Sequence, residues 1–132
     1  MTAYSAAQQD VLAFEERFYE TLRNIRVDHG AALIALWSTA DNVSTMNGAG
    51  GSERGFAAVK ERWEWWAKNG PVVNKNEREY LAVFAAPELS QTVFIEHTPN
   101  YDMRITHTYR REGGEWRMVH RHADTLGERK QP

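Results

Sequence analysis

The spacing of apolar residues changes once along this chain, from every third or fourth position before Pro71 to every second position after it. Val11, Phe14, Phe18, Leu22 and Ile25 follow Ser5 at the wider spacing, which predicts an amphipathic helix over 5–26. Ser5, with Gln8 three residues on, has the reciprocal capping pattern that satisfies free backbone N–H groups at a helix start. Such a helix is about 33 Å long, enough to cross a sheet. Asp28 can cap a short second helix that turns Leu33, Leu36 and Trp37 inward. Residues 41–46 are a short β-prone run, and 47–51 supply turn chemistry. A third helix is predicted over 55–69, with Phe56, Val59, Trp63 and Trp66 as its stripe and Gly70-Pro71 as its stop.

Beyond Pro71 the pattern predicts strands over 72–84, 91–98, 100–110 and 115–124. Helices first and hairpin-connected strands afterwards give an α+β domain, with the helices on one side of a curved, mostly antiparallel sheet. The last two strands meet at Gly113-Gly114, which reads as a hairpin turn. In the first of them Met103, Ile105, His107 and Tyr109 share a side, opposite Arg104, Thr106, Thr108 and Arg110. Strict alternation in the second puts Trp116, Met118, His120 and His122 on one side, and Arg117, Val119, Arg121 and Ala123 on the other. Matching the apolar sides predicts that His107, His120 and His122 share one buried face.

Length and composition narrow the function class. A chain of 132 residues with 42% apolar and 26% charged residues is expected to be one globular domain, with 128–132 as a loose tail. A formal charge of −2 gives no basic footprint for nucleic acid. Without cysteine there is no thiol nucleophile, thiolate metal site or disulfide. No apolar run suits a membrane span, and the first ten residues lack the pattern of a secretory signal, so a cytoplasmic protein is expected.

Further motifs resemble a known family. Ala40-Asp41-Asn42-Val43, a glycine-rich turn, Arg54-Gly55 opening a helix, and Arg62-Trp63-Glu64-Trp65 are similar to the first half of SnoaL-like proteins. Arg104-Ile105-Thr106, Tyr109-Arg110-Arg111 and the run from Trp116 to Asp124 are similar to the second half. These proteins belong to the nuclear transport factor 2-like, or ketosteroid isomerase-like, superfamily. The chain also resembles the association domain of calcium/calmodulin-dependent protein kinase II in its Val-His-x-His ending. The resemblance implies a cone-like fold, three N-terminal helices packed on a strongly bent sheet, with a pocket between them. It also implies a homodimer formed through the sheet's other face. Activity does not follow from fold, because isomerases, cyclases, dehydratases and non-catalytic modules share this one. The catalytic aspartate of ketosteroid isomerases falls here at Met46 or Asn47, and 43–52 contains no carboxylate, which argues against that activity.

The expected site follows from these readings. His107 and His120 are the candidate catalytic pair, since a neutral imidazole can accept or donate a proton near neutral pH. Trp37, Trp63, Trp66, Tyr109, His122 and Met46 are the candidate binding residues around an apolar or carbonyl-bearing substrate. Each histidine can instead be a core residue held by hydrogen bonds, and each tryptophan a packing residue. A metal on His120, His122 and His107 is the other use of such a trio. The resemblance implies no metal, and no cofactor is expected. Acid–base isomerase, cyclase or dehydratase chemistry therefore stands beside a non-catalytic ligand-binding or oligomerisation module.

Overall fold

A computed structural model describes residues 3–48, 50–72 and 74–127; the expected tail at 128–132 lies outside them. Helix α1 (Ala6–Arg23) starts as its sequence requires: Gln8 N–H donates to Ser5 Oγ at 3.1 Å, and Ser5 N–H donates to Gln8 Oε1 at 2.8 Å. It ends three residues earlier than its apolar period suggests, because Thr21 and Asn24 side chains bond back to helix carbonyls and a turn follows. Helix α2 (Ala31–Ile34) is one turn, entered through Gly30 at φ +84°. Strands β1 (Ser44–Met46) and β2 (Ser52–Arg54) form a small hairpin around the predicted turn, and β2 was not foreseen. Helix α3 (Phe56–Asn69) follows, then β3 (Glu77–Phe84), β4 (Leu89–His97), β5 (Asp102–Glu112) and β6 (Glu115–Thr125).

Among the described residues the strands form one six-stranded sheet, in the order β2-β1-β6-β5-β4-β3. Every pairing is antiparallel except β1 with β6. The α+β class with helices on a mostly antiparallel sheet therefore holds. The core lies between helices and sheet: Phe14, Phe18, Leu22, Leu33, Leu36, Val59, Trp63, Ile105 and Met118 are all buried as predicted, while Phe56 is partly so. No described helix is long and apolar enough to cross a membrane.

One irregularity sets the faces of the sheet. Thr108 pairs with His120 but Tyr109 pairs with Met118, so Val119 is an extra residue on β6. A bulge of this kind shifts the alternation of everything beyond it. Before it Trp116 and Met118 point to the core; after it Arg121 and Ala123 do, and His120 and His122 turn outward. The bulge falls where β6 changes neighbours. Met118 exchanges backbone bonds with Leu36 and Ser38, whereas Ser44 to Met46 of β1 pair with His120 to His122. The single buried face expected for His107, His120 and His122 is thus corrected. His107 faces the helices, and the other two lie on the opposite side.

Candidate functional site

The inner face of β5 and β6 carries a buried polar chain that begins on α1. Glu15 occupies the apolar stripe of that helix, four residues after Val11 and three before Phe18, and is wholly buried. Three groups donate to its carboxylate: Thr92 Oγ1 at 2.7 Å, Tyr109 Oη at 2.5 Å and His107 Nδ1 at 2.7 Å. On the other side of the ring, His107 Nε2 lies 2.6 Å from Arg121 Nη1. A guanidinium can only donate, so Nε2 accepts, and His107 is the neutral tautomer with its proton on Nδ1.

The electrostatics agree with that assignment. Burial is the main cause that pushes the His107 pKa down, with the Arg121 charge adding to it and Glu15 opposing it. Burial alone would raise the Glu15 carboxyl. The facing His107 and the hydrogen bonds from His107, Tyr109 and Thr92 outweigh it and hold the group below its ordinary value. Burial likewise opposes the Arg121 charge, and Tyr19 and Glu96 more than offset it. Tyr19 Oη, buried nearby, makes no hydrogen bond of ordinary geometry among the described residues, yet is close enough to feel both charges.

Arg121 is where this chain reaches open space. It lies in the floor of a cavity of about 430 Å³ between α3 and the sheet, with Trp63, Trp66, Leu22, Met103 and Tyr101 among its walls. Its guanidinium carbon sits 5.9 Å from the Trp63 ring centre and 5.5 Å from that of Phe18. Trp65 stands half-exposed at the mouth, with the Arg62 guanidinium 4.8 Å over its ring. Two glycines make the room. A Cβ on Gly70 would come within 2.6 Å of the Trp66 ring, and one on Gly48 would collide with the Met103 methyl. Carboxylates and histidines are absent from the described residues that line the cavity.

The expected site residues separate into three places. Trp63 and Trp66 wall the cavity. His107 and Tyr109 lie one layer deeper, fully buried behind Arg121 and without cavity surface. Trp37 is buried beside α2 and borders a separate, more open depression of about 620 Å³. On the outer face His120 Nδ1 is 2.8 Å from Ser44 Oγ, His122 Nε2 is 3.4 Å from Asp124 Oδ2, and Met46 is half-exposed opposite His122. Lying on both sides of the sheet, the three histidines cannot converge on one ion. The placement of Arg121 and Val119 on the outer face is also corrected, while Arg104, Thr106 and Thr108 do lie there. Sequence reading missed Glu15 and Arg121. A carboxylate inside an apolar helical stripe was the available signal for the first; the bulge hid the second.

Comparison with known proteins agrees with this fold. A sequence model of the SnoaL-like domain matches residues 11–124. No curated protein matches the chain. Among solved structures, a candidate calcium/calmodulin-dependent protein kinase type II association domain from Thiobacillus denitrificans superposes with a TM-score of 0.75 at 23% identity, covering 88% of this chain and 94% of its own. A candidate dehydratase of the nuclear transport factor 2-like family from Streptomyces avermitilis gives 0.73 at 17%, covering 92% and 98%. A candidate ketosteroid isomerase from Parabacteroides distasonis gives 0.70 at 16%, covering 88% and 85%. At these identities the likeness is one of fold.

Proposed function

The chain belongs to the SnoaL-like domain family, and within that family we propose that it is a small-molecule pocket protein whose ligand lies in the cavity between α3 and the sheet. The observation that carries this is a buried guanidinium, Arg121, set in the floor of a cavity walled mainly by Trp63, Trp65, Trp66, Leu22 and Met103, with Asn47, Asn69, Arg62 and Tyr101 also on its lining. A largely apolar enclosure with a few oriented polar groups is what a ligand with an apolar body and an oxygen acceptor requires. The cavity volume is at the small end of the ~300–1,000 Å³ typical of ligand pockets.

Binding without turnover is favoured over proton transfer by the candidate histidines. His107 has both ring nitrogens engaged, by Glu15 and Arg121, and no cavity surface. His120 is on the other face. A catalytic version of the site would act through Arg121 polarising a carbonyl oxygen, with His107 and Glu15 orienting it. The names of the two candidate enzymes of like fold keep isomerase or dehydratase chemistry as the second reading. We place a second copy of the chain on the sheet's outer face, as the homodimer partner, where Met46 and Phe84 stand half-exposed or more.

Native mass spectrometry of freshly purified protein, followed by mild denaturation, tests the pocket. A released small molecule that Trp63→Ala protein no longer carries supports the reading. Retention of that molecule by folded Trp63→Ala and Arg121→Gln proteins would place it elsewhere.

A further inference from the structure

From the histidine pair that the bulge turns outward, we propose that β6 and β1 hold a binding site for monovalent copper, with His120, His122 and Met46 as its ligands. The site lies on the outer face, away from the cavity, and does not depend on the reading of that cavity. His120 and His122 are two apart on β6, and their ring centres are 6.5 Å from each other. Bonds of about 2 Å from one ion to both rings need centres roughly 5–6 Å apart, a small side-chain rotation away. Among the described residues no three histidine, cysteine or acidic side chains gather around one point, so a third donor has to be of another kind. Met46 supplies it. In the parallel pairing of β1 with β6 it is the direct partner of His122, and it stands half-exposed on the outer face. Adjacent strands lie about 4.8 Å apart, which puts the flexible thioether within reach of the ring beside it.

The neighbours hold both rings from behind. His120 Nδ1 is 2.8 Å from Ser44 Oγ, which leaves its Nε2 without a protein partner among the described residues. His122 Nε2 is 3.4 Å from Asp124 Oδ2, and Arg104 Nε donates to the other oxygen of that carboxylate at 2.7 Å. A hydroxyl or carboxylate on one nitrogen of an imidazole fixes the ring's orientation and makes the other nitrogen a better metal ligand. Charge and softness choose the ion. Two imidazoles and a thioether are neutral donors, and the nearby Asp124 is already engaged by Arg104. Magnesium and calcium require several oxygen ligands, and structural zinc takes four ligands, thiolates prominent among them. A thioether beside imidazoles favours Cu(I).

The probe is Cu(I) itself. Protein at pH 7.5, under argon with ascorbate as reductant, is titrated into the coloured Cu(I)–ferrozine complex, and the loss of colour gives stoichiometry and affinity. One ion per chain is expected, because all three ligands belong to one copy. His120→Gln and His122→Gln should each weaken Cu(I) binding ten-fold or more. Met46→Leu should weaken it by a similar factor while changing Zn(II) affinity less than three-fold. His97→Gln, at a partly exposed imidazole held by Glu79 and Asp102, should change neither. In protein carrying carbon-13 at its methionine methyls, one of the four signals should shift on adding Cu(I), the one that is missing from Met46→Leu protein. Circular dichroism on each variant confirms that it is folded. No copper taken from ferrozine, one ion per two chains, unchanged Cu(I) affinity in Met46→Leu protein, or uptake that survives in the folded double variant His120→Gln, His122→Gln would overturn the site. Zn(II) held more tightly than Cu(I) would overturn the choice of ion.

Discussion

His107 and His120 lie on neighbouring strands of one sheet, yet they have opposite surroundings. His107 is sealed among Glu15, Tyr109 and Arg121, with both ring nitrogens engaged in the core. His120 is half-buried on the outer face, sharing one hydrogen bond with a serine of β1. The same residue type is therefore part of a buried charge chain in one place and an ordinary surface group in the other. What separates them is the one extra residue at Val119, not any difference in local composition. Arg121, which strict alternation turns toward the outside, becomes the polar floor of the cavity for the same reason.

The largest effect should come from adding a second extra residue. Inserting an alanine after Val119, with the bulge kept, would turn Arg121 and Ala123 outward and His120 and His122 into the core. The expected outcome is loss of a cooperative thermal transition by circular dichroism. A native-like melt in the insertion variant would show that the register beyond the bulge does not order the two faces.

Next in size is the contrast between the two polar clusters. Glu15→Ala leaves three buried donors, on Thr92, Tyr109 and His107, without their acceptor, so it should cost roughly 3–5 kcal/mol in urea unfolding. His120→Ala, on the outer face, should cost about 1 kcal/mol or less. Similar losses from both substitutions would contradict the difference in burial between the two faces.

The smallest effect is pH dependence, and it sharpens the same comparison. Because the folded pKa of His107 is depressed by burial, the unfolded chain takes up that proton first as pH falls below about 6.5. Stability should therefore decline from that point down through the folded value. Glu15, also held below its ordinary value, adds a further loss at lower pH, when its carboxylate is protonated. Thermal melts between pH 7.5 and 5 should show the first decline, and His107→Gln should flatten it. His120 is depressed as well but only half-buried, so His120→Gln should flatten it less. An unchanged slope in His107→Gln protein would contradict the neutral, buried assignment.

How much of this was legible in the sequence depends on the scale of the signal. The helices and the strand-rich half were readable because their apolar periods run for many residues: Val11 to Leu22, Val59 to Trp63, Ile105 to Tyr109. The capping pair Ser5–Gln8 was readable because it is local. Strand β2 was not, since Ser52, Glu53 and Arg54 have no apolar alternation and pair only because β1 lies alongside. The bulge has no local signature either. Val119 is a good strand residue in either register, and the shift is set by two distant segments, Leu36–Ser38 and Ser44–Met46, pairing with β6 on either side of it. Trp63 and Trp66 could therefore be placed on the sheet-facing side of α3 from their helical stripe, and they wall the cavity, while strict alternation assigned Arg121 to the wrong face. Glu15 was overlooked because a stripe is normally read by its apolar members.

The most direct test of the central claim, that Arg121 and the tryptophans of α3 form a ligand pocket on the inner face, is a crystal structure of the protein with the small molecule it carries from the cell. The account predicts electron density between Trp63 and Trp66, with an oxygen at hydrogen-bonding distance, about 2.7–3.2 Å, from the Arg121 guanidinium. A closed cavity with Arg121 paired to Glu96, or density only on the His120–His122 face, would contradict it.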